Sequence, residues 1–289
     1  MLTETEKDLS ASRPNRVDHD RIADLHFLGN YVRRLPVTMA RMMENAHDWE
    51  HLPYVHASSF ASIDLISRGP WGWRAKIGLP GGSDFQLVDL IIDETRHYWV
   101  STVFSGMGTG TEIHTQATEL SGDEIEVDVR FYLPEAPADK TVADFVLKYL
   151  IDQYRVLYDE DLGLMSGRQS ALDYRTRRRA EQSEPSFILV GEDSELDRRV
   201  NHIIETKAGR FCVRWRRDEW IAHSAVCPHM LGPLEDAVPD EKGTIKCPWH
   251  GYRFDAATGR NLDGRCGGLT AAPRLWSRDG KLYLANGIE

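Results

Sequence analysis

Four side chains toward the C-terminal end have the types and spacing for metal chemistry. Cys227-Pro-His229 and Cys247-Pro-Trp-His250 each offer one sulfur and one imidazole. Structural zinc usually draws its ligands in like pairs, C-x₂₋₄-C and H-x₃₋₅-H. Mixed pairs on two similar loops better suit an iron–sulfur cluster with thiolates on one iron and neutral imidazoles on the other. Imidazoles in place of anionic thiolates raise the reduction potential and put titratable rings at the cluster's edge. Pro228 and Pro248 fix φ after each cysteine and stiffen both loops. The chain has only two other cysteines, too few for a disulfide scaffold. Cys212, in "GRFCVRWR", reads as a small buried hydrophobe, and Cys266, in "DGRCGG", as a loop thiol near the motif.

A second set lies in "ENAHDWEHLPYVHASSF", where His51 and His56 are five apart and Asp48 stands three before the first. On an ideal helix residues i and i+5 point about 140° apart, so the two rings could not share a metal. Pro53 disfavours helical geometry at Leu52 and can begin a new turn. A helix broken between the histidines would let His56 swing round. Histidines at a helix end are also often plain surface residues, so the spacing alone admits either reading.

The elements that must position these residues follow from periodicity. Residues 1–25 read as a loosely ordered segment, and a helix-like segment runs through "RMMENAHDWEHL". Over residues 62–133 the period is two. "WGWRAKIGL" alternates Trp71, Trp73, Ala75, Ile77 and Leu79 with polar or small residues, and "EIEVDVRFYL" sets Ile125, Val127, Val129, Phe131 and Leu133 against charge. These are marks of half-buried antiparallel strands. From 141 to about 179 the period is helical, with Val146, Leu150, Leu157, Leu164 and Leu172 on one side and a solvated basic cluster, Arg175 and residues 177–179, at the end. "AEQSEPS" reads as a linker, and short strands around Gly- and Asp-rich turns follow it. The expected division is a flexible segment at 1–25, a domain at 26–180, a linker at 181–186 and a small all-β domain at 187–289. "SGMGTGTEI" leads into strand-like sequence and so marks a hairpin turn, not a dinucleotide loop. Trp71, Trp73, Phe85, Tyr98 and Phe104 are read as strand core and are assigned no role.

Composition bounds the rest. The 289 residues are enough for two domains, and 41% hydrophobic with 28% charged residues is a globular balance. A net charge of −10 argues against a nucleic-acid partner. No apolar run approaches the roughly 18–20 residues of a membrane span, and the N-terminal sequence lacks the apolar core of a secretory signal. The cytoplasm is the expected location.

At the two ligand loops the sequence resembles the Rieske family. "CPHMLGPL" and "CPWHGYRFD", the following "TGR" and the later "AAPRLW" are similar to that family's ligand loops and covering loop. The extra cysteine pair of the high-potential respiratory type is missing, Trp249 standing at one such position, which resembles the oxygenase and ferredoxin type. Asn45-x-x-Asp48-x-x-His51-x₄-His56 is similar to the mononuclear-iron signature of Rieske non-haem iron oxygenases, particularly the monooxygenase and demethylase branch. The resemblance implies an α+β fold. An N-terminal helix-grip domain of the Bet v1/START kind, an antiparallel sheet with a long C-terminal helix, precedes a small all-β Rieske [2Fe–2S] domain. It implies that Cys227, His229, Cys247 and His250 hold the cluster, that His51 and His56 ligate Fe(II), and that Asp48 links the two centres.

A two-histidine, one-carboxylate site needs a third ligand. In "RVLYDEDLGLMSGRQ", Asp161 lies about 40° from Leu157 and about 60° from Leu164 at 100° per residue, toward the buried side. Asp159 lies roughly 160° from Leu157 and should face water. Glu160, about 60° from Leu157, is not excluded by periodicity. The family's acidic pair in this helix favours Asp161.

The implied activity is that of a terminal oxygenase acting with O₂ on a small aromatic or cyclic molecule by hydroxylation or oxidative demethylation. A separate NAD(P)H-dependent reductase, with or without a ferredoxin, would supply electrons. A homotrimer is expected, although the Rieske domain here follows the catalytic domain whereas the family usually places it first. Two rivals remain: a Rieske electron-transfer protein fused to a ligand-binding helix-grip domain, and a ring-hydroxylating dioxygenase.

Overall fold

The period-two segments pair into one antiparallel sheet. In the computed structural model, which describes residues 2–82, 84–178 and 187–285, the chain divides into two units, Met1–Met165 and Ser166–Glu289. The first unit holds β1 (His26–Leu35), α2 (Met39–His47), a short α3 (Leu52–Val55), β2 (Ser62–Gly69), β3 (Gly72–Gly78), β4 (Phe85–Asp93), β5 (Tyr98–Gly106), β6 (Glu112–Ser121) and β7 (Glu124–Leu133). The strands run in the order β1-β7-β6-β5-β4-β3-β2. Each neighbour is antiparallel, so consecutive strands join by hairpins and only β1 closes from a distance.

The alternation decides which face is core. Ile125, Val127, Val129 and Phe131 of β7 are fully buried, each worth about 1.5–3 kcal/mol of transfer free energy. They pack with Trp99, Ile92, Met39 and Met42 against the long helix α4 (Lys140–Arg178). This is the expected α+β plan of a sheet gripping a helix. The helix stripe differs from the expected one: Leu147, Leu150, Ile151, Tyr154, Tyr158, Leu162 and Met165 meet the core, while Leu157 faces a cavity. The helix must serve both surfaces, which a single stripe does not describe.

Residues 1–25, expected to be loosely ordered, instead carry α1 (Glu4–Ser12), capped reciprocally by Thr3 and Glu6. The segment is held to the sheet by charge. Arg13 donates to Asp89 at 2.8 and 3.2 Å, Lys76 to Glu6 at 2.9 Å, and Arg74 to the Ser10 and Pro14 carbonyls. Arg74 and Asp89 are themselves buried, so these contacts satisfy charges that the sheet could not leave bare. Strand β1 was also not anticipated.

Among the described residues the second unit carries short strands after α4: β8 (Phe187–Glu192), β9 (His202–Thr206), β10 (Gly209–Arg216), β11 (Glu219–Ser224), β12 (Thr244–Lys246), β13 (Arg253–Asp255), β14 (Arg274–Arg278) and β15 (Lys281–Ala285). They form sheets β11-β10-β9, β12-β13 and β14-β15-β8 around Phe211, Val213, Leu282 and Leu284. The small all-β domain is therefore present. The linker expected at 181–186, Arg179 of the basic cluster and residues 286–289 lie outside the described residues. The division into units falls inside α4, between Met165 and Ser166. Among the described residues no helix is long and apolar enough to cross a membrane.

Candidate metal centres

His51, His56 and Asp161 each place one ligand atom within 4.8 Å of the others, and all three are buried. The helix breaks earlier than expected. α2 ends at His47, Asp48 takes an extended conformation (φ −88°, ψ 90°), and His51 caps α3, in whose first turn Pro53 sits. His56 caps the other end of that single turn, so the two rings come to 5.1 Å between centroids at 72°. The break thus precedes His51, and it is the non-helical backbone of His56 itself (φ −109°, ψ 41°), at the end of the single turn, that takes its ring off the ideal-helix direction.

Asp161 Oδ1 is 3.0 Å from His56 Nε2 and 3.4 Å from His51 Nε2. Two ligand atoms about 2.1 Å from one ion and at right angles stand about 3.0 Å apart, so this donor set fits a single metal ion. The outward nitrogens are also held. His51 Nδ1 is 3.3 Å from Asp48 Oδ2, and His56 Nδ1 is 2.7 Å from Glu160 Oε2. A carboxylate on Nδ1 fixes the tautomer with a lone pair on Nε2, the arrangement of a metal-ligating histidine. Glu160, weighed as an alternative ligand, thus lies against the far side of His56, while Asp161 meets both Nε2 atoms. Asp159 is exposed and pairs with Arg33 at 2.6 Å. Burial presses the His51 imidazole down, but hydrogen bonds and charge from Asp161 and Asp48 outweigh it and hold it up to about 10. Burial pushes Asp161 up, and the two imidazoles more than reverse this, holding it well below the usual carboxylate range.

This trio stands in the wall of a cavity of about 850 Å³ within the first unit. Trp73, Ile77, Leu90, Trp99 and Ile113 of the sheet face Tyr154 and Leu157 of α4 across it. Trp73 was read as core; it serves the cavity as well. Trp71, Phe85, Tyr98 and Phe104 do not line the cavity.

In the second unit the two cysteine–histidine loops follow β11 and β12. Each closes in the same way: Cys227 N–H donates to the Gly232 carbonyl and Cys247 N–H to the Tyr252 carbonyl, both at 2.8 Å and five residues on. The fourth residue after each cysteine is left-handed, Leu231 at φ 60° and Gly251 at φ 66°. Gly232 is required by contact, because a Cβ there would stand 2.9 Å from Cys247 Sγ and 3.1 Å from Trp249. His229 and His250 lie 4.5 Å apart edge to face, and Tyr252 packs 4.4 Å from His229. Cys227, Cys247 and His250 are fully buried, while His229 is half-buried.

A family model, the Rieske [2Fe-2S] domain, matches residues 186–272. The C-terminal unit contains a Rieske domain. Pheophorbide a oxygenase of Arabidopsis thaliana is 38% identical over 69 residues, 23% of this chain and 11% of that protein. Flavonoid 8-hydroxylase 2 of Ocimum basilicum is 33% identical over 90 residues, 30% of this chain and 16% of that protein. The chain therefore spans only a small part of the length of the curated relatives it matches. Among solved structures, the Zhui aromatase/cyclase from Streptomyces sp. R1128 overlays at a TM-score of 0.41 with 11% identity, covering 50% of this chain and 95% of that one.

The Rieske loops fit a [2Fe–2S] cluster by their donors. Two buried thiols touch, so hydrogen bonding from Cys227 holds Cys247 below the ordinary thiol range and pushes Cys227 far above it. A metal centre would offset the charge of the second thiolate. Elsewhere in the domain, Cys212 is fully buried as expected, but its sulfur also lies 3.1 Å from the Arg214 guanidinium, a polar contact its strand pattern did not signal. Cys266 lies half-buried beside Asn261, at 3.4 Å.

Proposed function

We propose that the protein is the terminal oxygenase of a Rieske-type monooxygenase system. Cys227 and Cys247 would hold one iron of the cluster and His229 and His250 the other, while His51, His56 and Asp161 would hold a mononuclear Fe(II). When bound, these groups supply single electrons and activate O₂ for attack on a C–H bond. The observation that carries this reading is the convergence of two Nε2 atoms and one carboxylate oxygen on a largely apolar cavity, in a chain that also contains a Rieske domain.

The chain's own residues do the positioning. Glu160 accepts the Nδ1 proton of His56, and the Asp48 carboxylate stands 3.3 Å from Nδ1 of His51, so both favour the tautomers whose Nε2 lone pairs point inward. Asp161, ionised at neutral pH, offsets part of the metal's charge. Trp73, Trp99 and Leu157 exclude water and hold a C–H group near the trio. Asp48 is also the residue through which the cluster and the mononuclear site would be coupled. A separate NAD(P)H-dependent reductase, directly or through a ferredoxin, would feed the cluster, the assembly would be a homotrimer, and the site of action the cytoplasm.

The test is iron analysis of anaerobically reconstituted protein. We expect the cluster's two irons plus one more, with Asp161→Ala losing only the additional iron and keeping the visible cluster spectrum. Cluster iron alone in the unaltered protein would instead favour an electron-transfer module fused to a ligand-binding domain.

A further inference from the structure

The cavity has a charge pattern of its own. Among the described residues lining it there is no lysine and no arginine. Its two deep carboxylates, Asp48 and Asp161, are engaged by His51 and His56. Its two outer ones are exposed Asp84 and half-buried Asp152, the latter already paired with Lys148 and, at 3.0 Å, with Arg155. A buried charge is costly unless an opposite charge meets it. A substrate carboxylate would find no lysine or arginine in this wall, and in its deep part a substrate ammonium would find only carboxylates already engaged.

Among the neutral polar side chains of the lining, two lie deep in it with polar atoms left open. The side-chain Oδ1 of Asn45, on the last turn of α2 and buried, has no hydrogen-bond partner among the described residues. The Tyr154 hydroxyl, two turns before Asp161 on α4, makes no hydrogen bond to the described residues, and its ring packs edge-on to Phe131 at 5.4 Å and tilted against Tyr158 at 6.1 Å. An amide can accept or donate and a phenol can do either, so both suit a hydroxyl or carbonyl. A volume of about 850 Å³ is ample for several fused rings. Met107, Tyr149 and Val156 add exposed apolar surface at its edge.

We infer that the cavity takes an uncharged, multi-ring molecule bearing a hydroxyl or carbonyl, anchored by Asn45 and Tyr154, and rejects carboxylates and ammonium ions of the same shape. This deepens the oxygenase reading, on which it rests for the meaning of the word substrate. Asn45 and Tyr154 act as specificity-determining residues.

The experiment is calorimetric titration of the anaerobic holoprotein with three tricyclic probes of one shape: 9-hydroxyfluorene, fluorene-9-carboxylate and 9-aminofluorene. The alcohol should bind at least about tenfold more tightly than either ion. A smaller gap, or binding of none of the three, overturns the inference. Tyr154→Phe should then weaken the alcohol about three- to tenfold and leave fluorene itself, which has no hydroxyl, unchanged. Equal effects on both probes would remove the anchoring role. The two proposals fail separately. The probe ranking would survive in a ligand-binding protein without turnover, whereas iron analysis would survive a cavity that accepts carboxylates.

Discussion

The two candidate metal centres are built by opposite strategies. The Rieske ligands come from two loops inside a span of 24 residues, Cys227 to His250, each closed on itself by a five-residue backbone bond. The mononuclear trio is gathered from a broken helix and from α4, 105 residues apart in the case of His56 and Asp161. One centre depends on local backbone chemistry, and the other on a sheet that brings two distant helices together. The difference also shows in what surrounds the ligands. Backbone amides and a glycine contact shape the cluster loops, whereas carboxylate side chains, Asp48 and Glu160, steady the imidazoles of the trio.

This contrast can be broken or sharpened by substitution. The largest effect is expected for Cys247→Ser, which should abolish the visible cluster spectrum and turnover while leaving iron bound at the trio; simultaneous loss of all iron would mean the centres are not independently built. Asp161→Ala is the mirror case, and its retention of the cluster spectrum is the corresponding check. Next come the steadying carboxylates. Glu160→Ala should weaken mononuclear iron about 10–100-fold in a chelator competition, and an unchanged affinity would show that His56 needs no such support. Asp48→Ala should keep both metals and slow turnover severely, and unimpaired activity would remove its coupling role.

A pH dependence separates the metal-free and loaded states. His51 is raised from 6.5 to about 10 in the folded, metal-free protein, so its contribution to stability is fully present below pH 6.5 and is lost as pH climbs toward 10. The melting temperature of metal-free protein should fall across that window in a calorimetric scan. The increment from added Fe(II) should grow over it, because protons no longer compete for the imidazole. The smallest effect belongs to the loops: Gly251→Ala should cost about 1–2 kcal/mol at its left-handed position in thermal unfolding of the holoprotein. Leu231 already bears such a conformation, so Leu231→Gly should relieve backbone strain while losing the packing of a buried leucine.

How much could be read beforehand follows the same division. Loop spacing exposed the cluster residues because a few consecutive residues carry the whole donor set. The strands of residues 62–133 were legible because alternation reports a half-buried face. Glu160 and Asp161 were harder. At about 100° per residue neighbouring acids both approach one histidine, and only the fold shows which nitrogen each one meets. The role of Glu160 has no separate sequence signal. Helix α1 did have one, the reciprocal cap of Thr3 and Glu6, but its polar surface hid it, since it docks through ion pairs with a sheet that lies far along the chain. Strand β1 was missed for a related reason: as an edge strand with mixed exposure and an interior glycine it lacks clean alternation.

That docking reaches further than it first suggests. Successive residues of a strand point to opposite faces, so the backbone that seats Arg74 and Asp89 beneath α1 also carries Trp73 and Val88 in the cavity wall. Anyone trimming the first twenty residues to tidy a purification, or hanging a rigid tag on them, would be removing the backing from the panel against which a guest molecule rests.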